Sequence, residues 1–286
     1  MAVAAAKNPA EYQLKLAFPL ALFFAAFFVA PLLMLITVSF YADPAMTRFG
    51  IGEYTRFLSD AYSLGVMGST LLLGFEVMAI CLLLGFPLAV LFTRAPPWAR
   101  TLLLAAILLP LLTSVVVRTF AWIVILGRQD VINSALMTLG WIEAPLRMIY
   151  TQGGVVAALV QVQLPLMTLP IITALSRLDP NLAEASSTLG AGAWRTFFRI
   201  TVPLTMPGVL AGCVLCFASA VTAFVTQVLI GGGQRMFLPM YVYQQASALQ
   251  NWPFAAAIAV LFLLAVLASL TLINTVARLS RGLSHG

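Results

Sequence analysis

The chain has 286 residues, of which 62% are hydrophobic and only 8% are charged, and its mean hydropathy is +1.03. Soluble domains carry about 25% charged residues, so this composition excludes a soluble protein and indicates a polytopic membrane protein. The formal net charge is +6, but the basic residues are spread over polar segments and form no patch of the kind that binds nucleic acid.

Six apolar stretches are long enough to cross a membrane, since a hydrocarbon core of about 30 Å takes roughly 20 helical residues. They lie near residues 16–39, 65–92, 101–126, 152–175, 204–229 and 253–276. Helices are predicted because lipid offers the backbone no hydrogen-bond partner. The predicted fold class is an all-α integral membrane protein with six transmembrane helices, forming a single domain over residues 1–286.

Lys and Arg in the short loops predict the orientation, because they accumulate on the cytoplasmic side. With the N-terminus inside, the inner segments hold Lys7, Lys15, Arg94, Arg100, Arg177, Arg195, Arg199, Arg278 and Arg281. The outer segments hold Arg48, Arg56, Arg128, Arg147 and Arg235. Nine basic residues against five predict that both termini are cytoplasmic. The first stretch exceeds the roughly 7–15 apolar residues of a signal peptide and is predicted to remain as a helix.

Two charged residues lie within predicted membrane helices, where a central charge costs about 2.5–3.5 kcal/mol on insertion scales. At about 1.5 Å per residue, Glu76 and Arg118 lie about 18 Å and about 12 Å from the outer ends of their helices. Two roles stay open: a buried ion pair between them, or a polar pathway lined by Arg118 with Trp122. We favour the pathway for Arg118 and a structural role for Glu76.

Uncharged polar groups lie within the fourth and fifth stretches. They are Gln161, Gln163, Thr168, Thr222, Thr226 and Gln227. They either form hydrogen bonds between helices, each contributing about 0.6 kcal/mol of stability, or face a translocation cavity. In the fifth stretch, Gly208 and Gly212 have GxxxG spacing, which permits close contact between helices.

Other motifs do not indicate catalysis. Cys213 and Cys216 have CxxC spacing, but both lie in a predicted membrane helix, where burial keeps a thiol inert. His285 is the single histidine, and the sequence contains no HExxH, GxxxxGK[ST] or GxSxG pattern. We therefore predict no catalytic residue, no metal site and no cofactor in this chain.

The segment between the fourth and fifth stretches, residues 176–203, is polar and organised. Asp179 is a predicted N-cap with Pro180 at the first helical position, so a short helix is expected to run to about Leu189. Gly190 and Gly192 then provide a stop. A helix of this kind on the inner face favours docking of a cytoplasmic partner.

A second short helix is predicted after the glycines. Arg195 and Arg199 would share one face of it at i, i+4 spacing. Its aromatic residues, Trp194, Phe197 and Phe198, are expected to rest on the helix bundle.

The spacing in this segment resembles the EAA motif of permease subunits from binding-protein-dependent ABC importers. That motif reads E-A-A, three residues, G, nine residues, I, one residue and L-P. In register here are Glu184, Ala185, Gly190, Ile200 and Pro203, while Ser186 replaces the second alanine and Val202 the leucine. The resemblance implies that Glu184, Ala185, Ser186, Gly190, Ile200 and Pro203 couple the chain to an ATPase.

Three further runs are similar to permeases of the polyamine (spermidine/putrescine) type: RTFAWIVILG at 118–127, TAFVTQVLIGGG at 222–233 and NWPFAAAIAV at 251–260. The first run is similar to the first of the two dissimilar permeases in such systems. The resemblance implies a type I ABC importer permease with a coupling helix at 180–189 in a bacterial inner membrane. It also implies a second homologous permease subunit, two ATPase subunits that bind ATP and Mg²⁺, and a periplasmic substrate-binding protein.

The expected function is import of a small polar organic solute. The candidate pathway residues are Arg118, Trp122, Glu76, Gln161, Thr222, Phe224 and Thr226. Many relatives carry a carboxylate where this chain has Ala223, so a polyamine, a zwitterion and an organic anion all stay open. The alternative is an ATP-independent secondary transporter or channel, which would need intramembrane acids or repeated broken helices.

Overall fold

The computed structural model describes residues 18–127, 131–179 and 181–282. Within them the regular structure is helical, apart from an isolated antiparallel bridge between Tyr41 and Phe49. The helices in chain order are α1 (Phe18–Ser39), α2 (Gly52–Ser59), α3 (Ala61–Arg94), α4 (Pro97–Leu112), α5 (Val115–Ile125), α6 (Val131–Thr138), α7 (Gln152–Leu175), α8 (Asn181–Thr188), α9 (Ala193–Val221), α10 (Phe224–Gly231), α11 (Leu238–Tyr243) and α12 (Trp252–Gly282). The predicted all-α membrane fold is confirmed.

Helices α1, α3, α7, α9 and α12 are long and apolar enough to cross a membrane. Four of these five agree with predicted stretches, because a long continuous apolar run with few charged residues is a strong signal for a spanning helix. The third and fifth predicted stretches, 101–126 and 204–229, were wrong as single helices. Each is divided in the structure into two helices.

The third stretch is divided between α4 and α5, which meet at an angle of 100°. Helix α4 ends at Leu112, and the carbonyl of Pro110 then accepts hydrogen bonds from two side chains instead of from the backbone. The donors are Thr113 Oγ1, at 3.0 Å, and Arg118 Nη1. The bend is tolerated because the carbonyl at the helix end is satisfied without water.

The fifth stretch is divided between α9 and α10, where Ala223 leaves the helical conformation with φ −74° and ψ 64°. The Gln227 amide reaches back from α10 and donates to the carbonyls of Ala220 and Val221, at 2.9 and 3.2 Å. The Thr222 hydroxyl donates to the Ala218 carbonyl at 2.8 Å. Both divided helices therefore use a side chain of the second half to satisfy the end of the first half.

The two compact units of the chain are Met1–Ala61 with Val242–Phe262, and Tyr62–Tyr241 with Leu263–Gly286. In the second unit, α9 packs closely against α7. A Cβ atom added at Gly208 would meet the Pro170 carbonyl oxygen at 2.5 Å, and one added at Gly212 would meet the Met167 carbonyl oxygen at 2.8 Å. The close helix contact predicted from the GxxxG spacing is confirmed.

In the first unit, α2 is held by polar and aromatic contacts. The hydroxyls of Ser39 and Tyr54 lie 2.6 Å apart, and the Arg56 guanidinium lies 4.3 Å from the centre of the Phe254 ring. Phe57 is fully buried. Helix α1, in contrast, leaves its large apolar side chains exposed along its length, as expected of a helix that faces lipid or another chain.

Candidate coupling loop and translocation site

Helix α8 has defined ends. The Asp179 carboxylate accepts a hydrogen bond from the Asn181 backbone N–H at 2.9 Å, so the predicted cap is confirmed. Gly190 has φ +77°, and the backbone N–H groups of Gly190 and Ala191 donate to the carbonyls of Ser187 and Ser186 at 3.0 and 3.1 Å. This pattern is a Schellman motif, so the predicted stop at Gly190 is confirmed. Pro180 lies outside the described residues.

The side chains of α8 divide into an outward and an inward set. Glu184 and Ala185 are exposed, and Leu189, directly after the helix, is 87% exposed. Ser186 is buried, and its hydroxyl lies 2.7 Å from that of Thr196 in α9. The serine that replaces the second alanine of the motif therefore ties α8 to the start of α9.

The predicted second short helix was wrong as a separate element, because Ala193–Val221 is one continuous helix. A π-helical turn at Phe197–Thr201 lies within it and ends two residues before Pro203. Pro203 has no N–H to donate to the Arg199 carbonyl, and the Val202 N–H bonds to the Phe197 carbonyl instead. The π turn keeps the helix continuous across the proline.

The expectation for the aromatic residues was correct only for Phe197, whose ring centre lies 5.6 Å from that of Phe86. Trp194 and Phe198 are exposed and stack on each other at 5.9 Å. They are four residues apart on a continuous helix, so they share the stripe that faces away from the bundle. Ile200 is half-buried and, with Leu178 and Leu182, lines a cavity of about 190 Å³ beneath α8.

A second cavity of about 350 Å³ lies at the break between α9 and α10. Its lining includes four polar residues, Gln163, Ser219, Thr222 and Thr226, together with Phe224. Gln163 is only 2% exposed, and its Nε2 donates to Ser219 Oγ at 2.9 Å. Its Oε1 has no hydrogen-bond partner among the described residues. A buried acceptor left unpaired beside a cavity is a candidate contact for a solute.

Three of the predicted pathway residues, Thr222, Phe224 and Thr226, therefore lie together at this cavity. The Thr226 hydroxyl also lies 3.5 Å from that of Thr119, which joins α10 to α5. Sequence reasoning named Gln163 as a polar group but did not select it for the pathway. The signal that identifies it is its unpaired, buried amide oxygen, which only the packing reveals.

The other predicted pathway residues lie elsewhere. Gln161 accepts a hydrogen bond from Trp122 Nε1 at 2.6 Å and lines a separate cavity of about 360 Å³ beside Pro110. Arg118 is 9% exposed, and its Nη1 lies 3.4 Å from Thr113 Oγ1, beside the Pro110 carbonyl. Arg118 thus stabilises the α4–α5 bend in this structure.

Glu76 does not pair with Arg118. Its carboxylate accepts a hydrogen bond from Gln152 Nε2 at 2.7 Å, at the first residue of α7. The N-terminus of a helix stabilises a negative charge, which gives Glu76 a partner other than a cation. The open alternative of a buried Glu76–Arg118 ion pair is therefore wrong for this structure.

Comparisons with known proteins complete the description of the site. Residues 3–280 match the family described as "Binding-protein-dependent transport system inner membrane component". The spermidine/putrescine transport system permease protein PotB of Haemophilus influenzae is 33% identical over 238 residues, covering 82% of this chain and 83% of the relative. The Escherichia coli K12 PotB is 34% identical over 235 residues, covering 81% of this chain and 85% of the relative.

A molybdenum transport permease and a chain of a solved importer are also similar. The molybdenum transport system permease protein ModB of Escherichia coli K12 is 31% identical over 217 residues, covering 73% of this chain and 93% of the relative. A chain of a bacterial ABC transporter that imports the acidic polysaccharide alginate has a TM-score of 0.75 at 17% identity, covering 93% of this chain and 95% of that chain. The structural likeness shows the fold.

Proposed function

We propose a cargo and an assembly for this chain. The chain belongs to the family of binding-protein-dependent transport system inner membrane components, and the proposal follows from that membership. As a member, it is a permease subunit of an ABC importer in the inner membrane and works with a periplasmic substrate-binding protein. ATP hydrolysis belongs to a partner ATPase. The alternative of an ATP-independent secondary transporter or channel is thereby rejected.

In the proposed assembly, the chain pairs with a second homologous permease subunit and with two ATPase subunits that bind ATP and Mg²⁺. Helix α8 is the proposed ATPase contact, through Glu184, Ala185 and the exposed Leu189. Its capped ends support this role, because a helix that is already formed loses little conformational entropy when it docks.

A movement at α8 has a direct route to the cavity. Ser186 joins α8 to Thr196, and α9 then runs without a break to the Ser219 side chain that lines the cavity. From Thr196 to Ser219 the helix rises about 35 Å, at about 1.5 Å per residue. Closure of the ATPase subunits would therefore shift one wall of the cavity through a single continuous helix.

This coupling requires α8 on the cytoplasmic side, and with it both termini. The excess of Lys and Arg in the segments on that side supports the same orientation. A cysteine placed at the exposed Ser187 should react with a membrane-impermeant maleimide from the cytoplasmic side, and one placed at Thr47 from the periplasmic side. The opposite labelling pattern would show that the chain has the opposite orientation in the membrane.

The proposed cargo is an organic cation of the polyamine class, and the single observation that carries this proposal is the acceptor-rich cavity. An ammonium group has three donors and no acceptor, so it needs acceptors from its site. Gln163 Oε1 is an unpaired acceptor there, and the Thr222 hydroxyl hydrogen is already donated to a backbone carbonyl, which leaves oxygen lone pairs for a ligand. An anion would need donors instead, and the Thr222 hydroxyl hydrogen is already used.

The described lining of this cavity carries no charged side chain. A transport site must bind strongly enough to admit its solute and weakly enough to release it. Neutral acceptors meet this requirement for a cation better than a buried carboxylate does, because a desolvated ion pair releases slowly. The absence of an acid at Ala223 is therefore compatible with a cationic cargo.

The test is ATP-driven uptake by the complete complex in proteoliposomes with its binding protein, using spermidine, glycine betaine and molybdate as the cation, zwitterion and anion. We expect uptake of spermidine. Gln163→Leu should raise the solute concentration for half-maximal uptake about tenfold, because it removes one hydrogen bond to a charged group. Gln163→Glu should lower that concentration and slow release.

The matched control is Thr173→Val. Thr173 lies at an exposed position on the same helix, and its hydroxyl donates a hydrogen bond within that helix, to the Leu169 carbonyl oxygen at 2.9 Å. This variant should leave uptake unchanged. Uptake of glycine betaine or molybdate in place of spermidine would reject the cationic cargo. An unchanged half-maximal concentration in Gln163→Leu would reject this cavity as the site.

A further inference from the structure

A groove of about 490 Å³ on the second unit is used by neither the coupling residues nor the candidate pathway. Helix α3 contributes one wall and the start of α9 the other. The lining residues are Phe86, Pro87, Val90, Leu91, Arg94, Ala193, Trp194 and Phe197. The groove is thus apolar along its length, with a single charged residue at the end of α3.

The groove runs along the helix rather than across it. Phe86, Val90 and Arg94 are spaced four residues apart, so they lie on one face of α3. The distance from Arg94 to Phe86 along the axis is about 12 Å, at about 1.5 Å per residue. Since α3 is a spanning helix that ends at Arg94, the groove leads from the membrane surface into the hydrocarbon region.

The charged end of the groove has an unused cationic group. Arg94 is exposed, and in the described part of the chain it forms no ion pair. Arg100 is different, because its guanidinium already bonds to the carbonyls of Ala95 and Thr93, at 2.8 and 2.7 Å. Guanidinium groups bind phosphate oxygens in a bidentate geometry, so this end is complementary to a phosphate anion.

The aromatic residue beside the groove fits the same environment. Trp194 is 74% exposed and lines the same groove as Arg94. Tryptophan is enriched where the headgroups of a membrane meet its hydrocarbon core. An apolar groove of this length, with an arginine at the end of α3 and a tryptophan in its lining, is complementary to an amphiphile with one anionic end.

We propose that this groove binds an anionic phospholipid, with an acyl chain along Phe86 and Val90 and the headgroup phosphate on Arg94. The start of α9, which follows α8 in the chain, forms one wall of the site, so the lipid would hold this part of α9 at the membrane surface. The inference goes beyond the transport function and stands whichever solute is carried.

The test measures contact between Trp194 and lipid in the complete complex. The complex is placed in phosphatidylcholine nanodiscs that contain a minor fraction of brominated phosphatidylglycerol or brominated phosphatidylcholine, and bromine quenching of tryptophan fluorescence is recorded. The Trp194 contribution is the difference from the Trp194→Phe complex. We expect brominated phosphatidylglycerol to be enriched at Trp194 about fivefold over brominated phosphatidylcholine, the factor for one arginine at an anionic surface.

Two charge variants and a control locate the site. Arg94→Gln should abolish the preference, and Arg94→Lys should retain part of it because the charge remains. Arg177→Gln removes an exposed arginine outside the groove and should leave the preference intact. Equal quenching by the two lipids, or equal losses in Arg94→Gln and Arg177→Gln, would overturn the proposal. Absence of quenching at Trp194 would also overturn it, since a protein partner would then cover the groove.

Discussion

Gly190→Ala tests whether the conformation of the coupling loop, rather than its composition alone, is needed for docking of the ATPase. Gly190 has φ +77°, and an added Cβ atom would meet nothing within 4 Å. The cost of alanine therefore comes from the backbone alone, about 1–2 kcal/mol for a left-handed conformation. Such a cost lowers the equilibrium constant for the native α8 end about 5–30-fold, and the apparent affinity for the ATPase falls by up to the same factor.

Gly192→Ala is the matched control, because Gly192 has φ −69° and an added Cβ atom also meets nothing within 4 Å. Both variants add one methyl group to the same loop, and only the first opposes the backbone. The assay titrates the permease complex in nanodiscs with the ATPase that co-purifies with it and measures the dissociation constant. Gly190→Asn should be intermediate, since asparagine tolerates this conformation. Equal dissociation constants for Gly190→Ala and Gly192→Ala would refute the reasoning.

Three further changes test other parts of the account. Glu184→Lys should abolish ATP-driven uptake while solute capture by the binding protein is unchanged, and normal uptake would remove Glu184 from the coupling surface. Gly208→Val should lower the free energy of unfolding of the complex, followed by thermal denaturation, by about 1–3 kcal/mol, because the new Cβ would meet the Pro170 carbonyl oxygen at 2.5 Å. In the control Gly68→Val, the new Cβ meets nothing within 4 Å, so the free energy of unfolding should change little. The double swap Glu76→Arg with Arg118→Glu should not restore uptake lost in the single variants, because these residues bond to Gln152 and to the α4–α5 bend; restored uptake would show that they pair during transport.

The ends of α8 could be predicted from the sequence because their signals are local. Asp179 and Gly190 act on backbone groups within a few residues of themselves, and such contacts do not depend on the rest of the fold. The apolar stretches were similarly predictable, since length and composition alone decide whether a helix can span.

The breaks in the third and fifth stretches could not be predicted in the same way. No proline or glycine stands at residues 113–114 or 222–223. The helices end there because Arg118 and Gln227 fold back onto the carbonyls of the preceding helix. These contacts link residues seven or eight apart across a bend, and periodicity in an apolar run gives no sign of them.

The roles of Gln161 and Gln163 show a second limit. They lie two residues apart on α7, one beside Trp122 and the other beside Ser219. In a soluble helix the polar side would identify the outward face, but lipid is as apolar as the core, so both faces of a spanning helix look alike in the sequence. Only the packing of α9 against α7 identifies Gln163 as the buried residue at the cavity.

Native mass spectrometry of the complex, extracted gently from its own membranes, tests the central claim most directly. The account predicts one particle that contains this chain, a second homologous permease subunit and two ATPase subunits. A Glu184→Lys complex should lose the ATPase subunits and keep the second permease. Recovery of the chain alone, or as a homo-oligomer without an ATPase, would contradict the account.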